Sequence, residues 1–150
     1  MDEIAYRRTY RAVNQIACPF EKAVLTRRCQ CEKSLRLNIA EREAAGCSSD
    51  EAQHECDALL HLLRRNALFA LKLTHVDGML PHAKEMKVQC GGLLGVQAAV
   101  EPDAAEEAGV ANVFALVSRA IEKFGSLEAL PFSDIVKFIS AFEFRRRTGR

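Results

Sequence analysis

The chain has 150 residues, with 49% hydrophobic and 27% charged side chains and a formal net charge of +1. That length favours one domain and can bury a core without staples, and the composition excludes a disordered chain. The near-zero net charge provides no bulk field toward nucleic acid or a membrane surface, and eight Gly with four Pro favour long helices over a turn-rich β sandwich.

Taken in order, Asp2 can cap a first helix running to about Ala17, with Val13, Ile16, Ala17 and Phe20 on one apolar stripe. Cys18-Pro19 interrupts it, because proline lacks a backbone donor and biases its predecessor away from the helical region. A second helix is expected from Phe20 to Gly46, with Ala23, Val24, Cys31 and Leu35 facing inward and Gly46 as the C-terminal glycine. Ser48 and Glu51 have capping-box spacing and open a third helix. Its inward residues are Ala52, Cys56, Leu59, Leu60, Leu63, Ala67, Ala70 and Leu71, and it stops near His75 before Asp77-Gly78. Pro81 opens a fourth helix reaching Cys90, which Gly91-Gly92 breaks or loosens. Leu93–Val100 fits a helix or a buried strand equally well.

Asp103 and Glu106 form another cap-like pair. The next helix carries Val110, Val113, Phe114, Val117, Ala120, Ile121 and Phe124 and ends at Gly125. Ser133 opens a last helix with Ile135, Phe138, Ile139 and Phe142, followed by Arg145–Arg150. The expected fold class is therefore all-α, an irregular bundle of about six helices in a single domain over residues 1–150. Within it, a Cys-rich part (1–92) precedes a Cys-free helical hairpin with a basic tail (103–150). Residues 101–144 carry a net −5 and the last six add +4.

No 18-residue window is apolar and uncharged enough to span a membrane, and Met1–Arg8 has no apolar leader segment. The expected compartment is the reducing cytoplasm, where structural disulfides are rare. Six cysteines there ask for another explanation: Cys18, Cys29, Cys31, Cys47, Cys56 and Cys90. Thiolates suit zinc, copper(I) and iron–sulfur clusters, and four of them complete a structural zinc site or anchor a common cluster. The candidate ligands are Cys18, Cys29, Cys31, Cys47 and Cys90, of which four would be used. Cys18 precedes a proline bend, Cys47 sits at a helix N-terminus, and Cys90 precedes two glycines that let backbone approach a bulky group. Cys56 falls on the leucine stripe and reads as core. No Cys-x-x-Cys pair is present. Cys29-Gln30-Cys31 serves one metal only if the second helix is broken there; on a regular helix the two point about 200° apart.

His54, His61 and His75 recur at multiples of seven, too far apart on one helix to share a metal, and His82 is a conceivable ligand beside Cys90. The arginine pairs at 7–8, 27–28 and 64–65, with Arg145–Arg147, are interleaved with acids and read as solvated helix faces rather than a nucleic-acid surface. No catalytic motif names a reaction. The expected function is an iron–sulfur or metal-binding helical protein in electron transfer or redox sensing, or an accessory subunit of a redox enzyme. Its cofactor is an iron–sulfur cluster, with zinc as the alternative, and its partner a redox protein. A non-catalytic helical adaptor with core cysteines and a cluster-containing DNA-binding regulator are the competing readings.

Overall fold

A computed structural model describes residues 2–73, 80–104 and 109–143. The described chain is mostly helical but carries an antiparallel hairpin, so the all-α expectation is corrected. Helix α1 (Glu3–Val13) is capped by Asp2, whose side chain accepts from the Ala5 N–H at 2.7 Å. It ends at Val13, not Ala17, and Val13 is exposed rather than striped against the core.

The helix expected over residues 20–46 is replaced by three elements. Helix α2 (Glu21–Leu25) stops where Arg27 adopts a left-handed conformation (φ 67°). Strands β1 (Ser34–Ile39) and β2 (Arg42–Cys47) then pair antiparallel, with Ile39 opposite Arg42 and Ser34 opposite Cys47. Leu35, Leu37 and Ile39 alternate with Arg36 and Asn38, the period of a strand. Leu35, expected inward, is exposed. The small residues Ala44, Ala45 and Gly46 are buried in succession, so both faces of β2 are covered there.

Helix α3 (Asp50–Ala67) is the helix that its 3.6-residue stripe predicts, with Cys56, Leu59, Leu60 and Leu63 buried. Its cap is Ser49, accepting from the Ala52 N–H at 3.1 Å, one residue later than the expected Ser48. It ends at Ala67, and the expected stop at His75 to Gly78 lies outside the described residues.

Helix α4 (His82–Met86) passes through a π-type turn at Lys87–Gly91 straight into α5 (Gly92–Val100). The segment 93–100 is thus helical, and Gly91-Gly92 does not break the rod. The glycines serve close packing instead. A Cβ on Gly91 would stand 2.8 Å from both Ile139 Cα and Phe138 O, and one on Gly95 would stand 3.0 Å from Ile135 Cα. One turn apart, they seat the rod against the backbone of α7 (Phe132–Ala141). Between them in sequence, α6 (Val113–Phe124) starts at Asn112 rather than Asp103 and ends at Gly125 (φ 88°), as expected. Glu106 and Arg145–Arg150 lie outside the described residues. The largest core side chains are Phe20, Leu59, Leu63, Leu93, Leu116, Ile135 and Ile139.

A buried ion pair ties this core to the cysteine-bearing segment. Glu85 is fully buried and accepts from Arg64 Nε (3.1 Å) and Nη2 (2.7 Å), from Gln89 Nε2 (2.8 Å) and from the Leu80 N–H (3.2 Å). Gln89 Oε1 in turn accepts from the Ala23 N–H at 3.1 Å, holding α2 on the rod. Burial of a charge is tolerable only with this degree of pairing.

Candidate functional site

The six thiols fall into two groups. Cys18, Cys31, Cys47 and Cys56 line one cavity of about 20 Å³, room for about one water. Phe20, Val24 and Val113 supply apolar wall, and Lys33 borders it with its ammonium 4.9 Å over the Phe114 ring. Cys29 and Cys90 lie elsewhere in the core, each 1% exposed, and influence each other's titration.

Four chain segments deliver the first group. Residues 16–18 run beside β2: the Cys18 N–H donates to Ala45 O at 3.0 Å, and the Cys47 N–H donates to Ile16 O at 2.7 Å. Gly46 permits this approach, since a Cβ there would stand 3.2 Å from Ile16 O and closer still to Asn14 Oδ1. Its role is therefore the close contact, not a helix C-terminus. Cys31 opens the turn into β1, where the Ser34 N–H donates to Cys31 O at 3.1 Å. The hairpin brings its far end, Cys47, back beside that turn. Cys56 enters from α3, which Gln53 Nε2 anchors to Ala17 O at 3.3 Å.

Among the described residues, no three His, Cys, Asp or Glu side chains form a ready-made metal-holding group. The four thiols line the cavity wall instead, and Cys47 Sγ donates to Ser49 O at 3.2 Å. Electrostatics favours the neutral thiol at Cys18 and Cys56. Burial pushes Cys18 up to about 12, and the neighbouring Cys31 and Cys47 add like-charge repulsion. Burial, then Cys18, Cys31 and Cys47, raise Cys56 further above the ordinary thiol range. A cation that binds Cys18 or Cys56 therefore has to displace a thiol proton.

In the second group the Cys29 thiol is raised by its hydrogen bond to Cys90, then by burial and by the charge of its neighbour. Cys90 is lowered: its bond from Cys29 outweighs burial, with help from the Arg28 charge and the Thr26 hydroxyl. Cys29-Gln30-Cys31 is not helical, and its two thiols serve different surroundings. Of the five candidates, three share a cavity with Cys56, and two stand apart. Cys56 was the residue that sequence reasoning assigned to core; its position on the leucine stripe of α3 is correct, but that stripe also borders the thiol cavity.

The described histidines stay outside both groups. His54 Nδ1 meets Asp50 O at 2.9 Å, His61 is exposed, and His82 Nδ1 meets Lys22 Nζ at 2.8 Å rather than serving Cys90. His75 lies outside the described residues. The arginine pairs disperse into contacts with Glu3, Glu43 and Glu85 and over the Phe142 ring. No family model, curated protein or solved structure matches the chain. No helix among the described residues is long and apolar enough to cross a membrane.

Proposed function

We propose that the protein binds one thiophilic metal ion, zinc or iron, through the thiolates of Cys18, Cys31, Cys47 and Cys56. The observation that carries this reading is that four cysteines, from four separate chain segments, line one small cavity. Four thiolates are a complete tetrahedral set for such an ion. The room favours an ion over an iron–sulfur cluster, because a cavity of about 20 Å³ has no space for several irons and sulfides. Cys47 Sγ must turn from the Ser49 carbonyl to join the set. Lys33 offsets part of the negative charge that four thiolates leave around a divalent ion.

Zinc at this position acts as a clamp, fastening residues 16–18, the turn into β1, the end of β2 and α3 to one another. Iron adds one-electron chemistry in a water-poor pocket, the property required of an electron-transfer or redox-sensing component or of an accessory subunit beside a redox enzyme. The test is anaerobic purification followed by metal analysis of single Cys→Ser variants. Loss of metal in the variants at 18, 31, 47 and 56, with retention at 29 and 90, supports the reading. A stably folded protein that takes up no metal, or retention in C56S with loss in C29S, overturns it.

A further inference from the structure

Ser34 Oγ is shielded from solvent and, among the described residues, is the one buried side-chain oxygen or nitrogen with no hydrogen-bond partner. A hydroxyl buried in this way carries a desolvation cost that alanine would not. Its surroundings are the thiol cavity, whose wall Ser34 shares with Cys18, Cys31, Cys47 and Cys56. Backbone fixes it between two of these. The Ser34 N–H donates to Cys31 O at 3.1 Å, closing the turn into β1, and Ser34 stands directly opposite Cys47 in the hairpin register. The Cys47 N–H is donated outside the hairpin, to Ile16 O at 2.7 Å. With both amides engaged elsewhere, Ser34 and Cys47 are a non-hydrogen-bonded pair of the ladder, the kind in which opposed side chains lie closer. The Cβ atoms of directly opposed residues stand about 4.5–5.5 Å apart on one face of the sheet, a gap that Oγ and Sγ can close by side-chain rotation. In the structure the Cys47 thiol is turned the other way, donating to Ser49 O at 3.2 Å.

We propose that Ser34 is a positioning residue of the thiol site: its hydroxyl donates a hydrogen bond to the Cys47 sulfur when Cys47 leaves Ser49 to ligate the metal. This role rests on the reading of the cavity as a metal site. A thiol donates, and Ser49 O is the acceptor that Cys47 has. A metal-bound thiolate has given its proton to solvent and can only accept. The Ser49 carbonyl, an acceptor itself, then offers nothing, whereas the unpartnered Ser34 O–H supplies the donor. Ligation therefore exchanges one Cys47 partner for another and satisfies the one buried hydroxyl that the fold leaves over. The bond would hold the ligating rotamer of Cys47 and draw charge from its sulfur, as outer-shell partners do at metal sites.

The experiment loads full-length wild-type and S34A protein with zinc and, in parallel, with cobalt(II) as a spectroscopic probe of sulfur ligation. S34A is expected to keep one ion per chain but to bind zinc about 10–100-fold more weakly in chelator competition. Its sulfur-to-cobalt charge-transfer band should move to longer wavelength, because a thiolate without the hydrogen bond gives up an electron more easily. S34T, which keeps the hydroxyl, should restore both. With no metal added, S34A should melt no lower than wild type, since the hydroxyl it lacks had no partner. Wild-type affinity and band position in S34A, with one ion bound, would overturn the role of Ser34 and leave the metal site standing. An S34A protein that melts several degrees lower with no metal added would also overturn it, by showing the hydroxyl already partnered. A wild-type protein that takes up neither zinc nor cobalt would overturn the metal site and this role with it.

Discussion

Replacing Glu85 with Gln tests how the cysteine-bearing segment is held to the core. The carboxylate accepts four hydrogen bonds, two of them from Arg64, and is fully buried. Gln keeps the volume and one carbonyl oxygen, which can serve Arg64 Nε and the Leu80 N–H. Its amide nitrogen, however, then faces two donors, Arg64 Nη2 and Gln89 Nε2. Gln89 cannot turn to accept without abandoning the Ala23 N–H. Two charge-assisted bonds are lost and the guanidinium is left without its counter-charge, for a cost of about 3 kcal/mol. For a chain of this size that lowers the melting temperature by roughly 6–12 °C. Urea titration should give a lower midpoint with unchanged slope. A companion variant, R64M/E85M, removes both charges and should recover the part of the loss due to the stranded guanidinium, but not the part due to the Leu80 N–H and Gln89 Nε2, which it leaves without their acceptor. A loss under about 1 kcal/mol in E85Q would refute the reasoning, because it would mean that water already supplies these donors.

Gly91→Ala should destabilise by about 1–3 kcal/mol, because the new methyl meets the α7 backbone, which has no rotamer with which to yield; thermal melts check this, and Gly125→Ala would act through backbone strain alone, as nothing lies within 4 Å of a Cβ there. Metal affinity should rise with pH: Cys18 is pushed up to about 12 and Cys56 is raised as well, so near neutral pH each bound ion must expel thiol protons. The slope should approach about four decades per pH unit if all four are displaced. Chelator competition between pH 6 and 8 measures it, and an affinity indifferent to pH would exclude a thiol site.

The parts of the fold legible in the sequence are those where periodicity is strong and local. The α3 stripe from Ala52 to Ala67 and the Gly125 stop needed no tertiary information. The hairpin was hidden because its two-residue turn is Ala40-Glu41, with Ala40 at φ 58°, where Gly or Asn would have announced it. That single omission extended a helix across residues 20–46 and concealed the return of Cys47 beside Cys31. Cys56 was hidden for a different reason: an inward helix position is the same whether its neighbours are leucines or thiols, and only the packing of α3 on the hairpin distinguishes them. The glycines at 91 and 92 carried a true signal of close approach, but what approaches is the α7 backbone at Gly91 and the Leu63 side chain at Gly92 rather than a cofactor. Glu85 lies in a stretch that reads as an amphipathic helix, and nothing local reveals that Arg64 meets it from α3.

The most direct test of the thiol site is X-ray absorption at the metal edge of protein loaded with one equivalent of zinc. The structure of the cavity predicts a shell of four sulfurs at about 2.3 Å, lost in C56S and intact in C29S and C90S. A shell dominated by nitrogen or oxygen, or a four-sulfur shell that persists in C56S, would contradict the assignment.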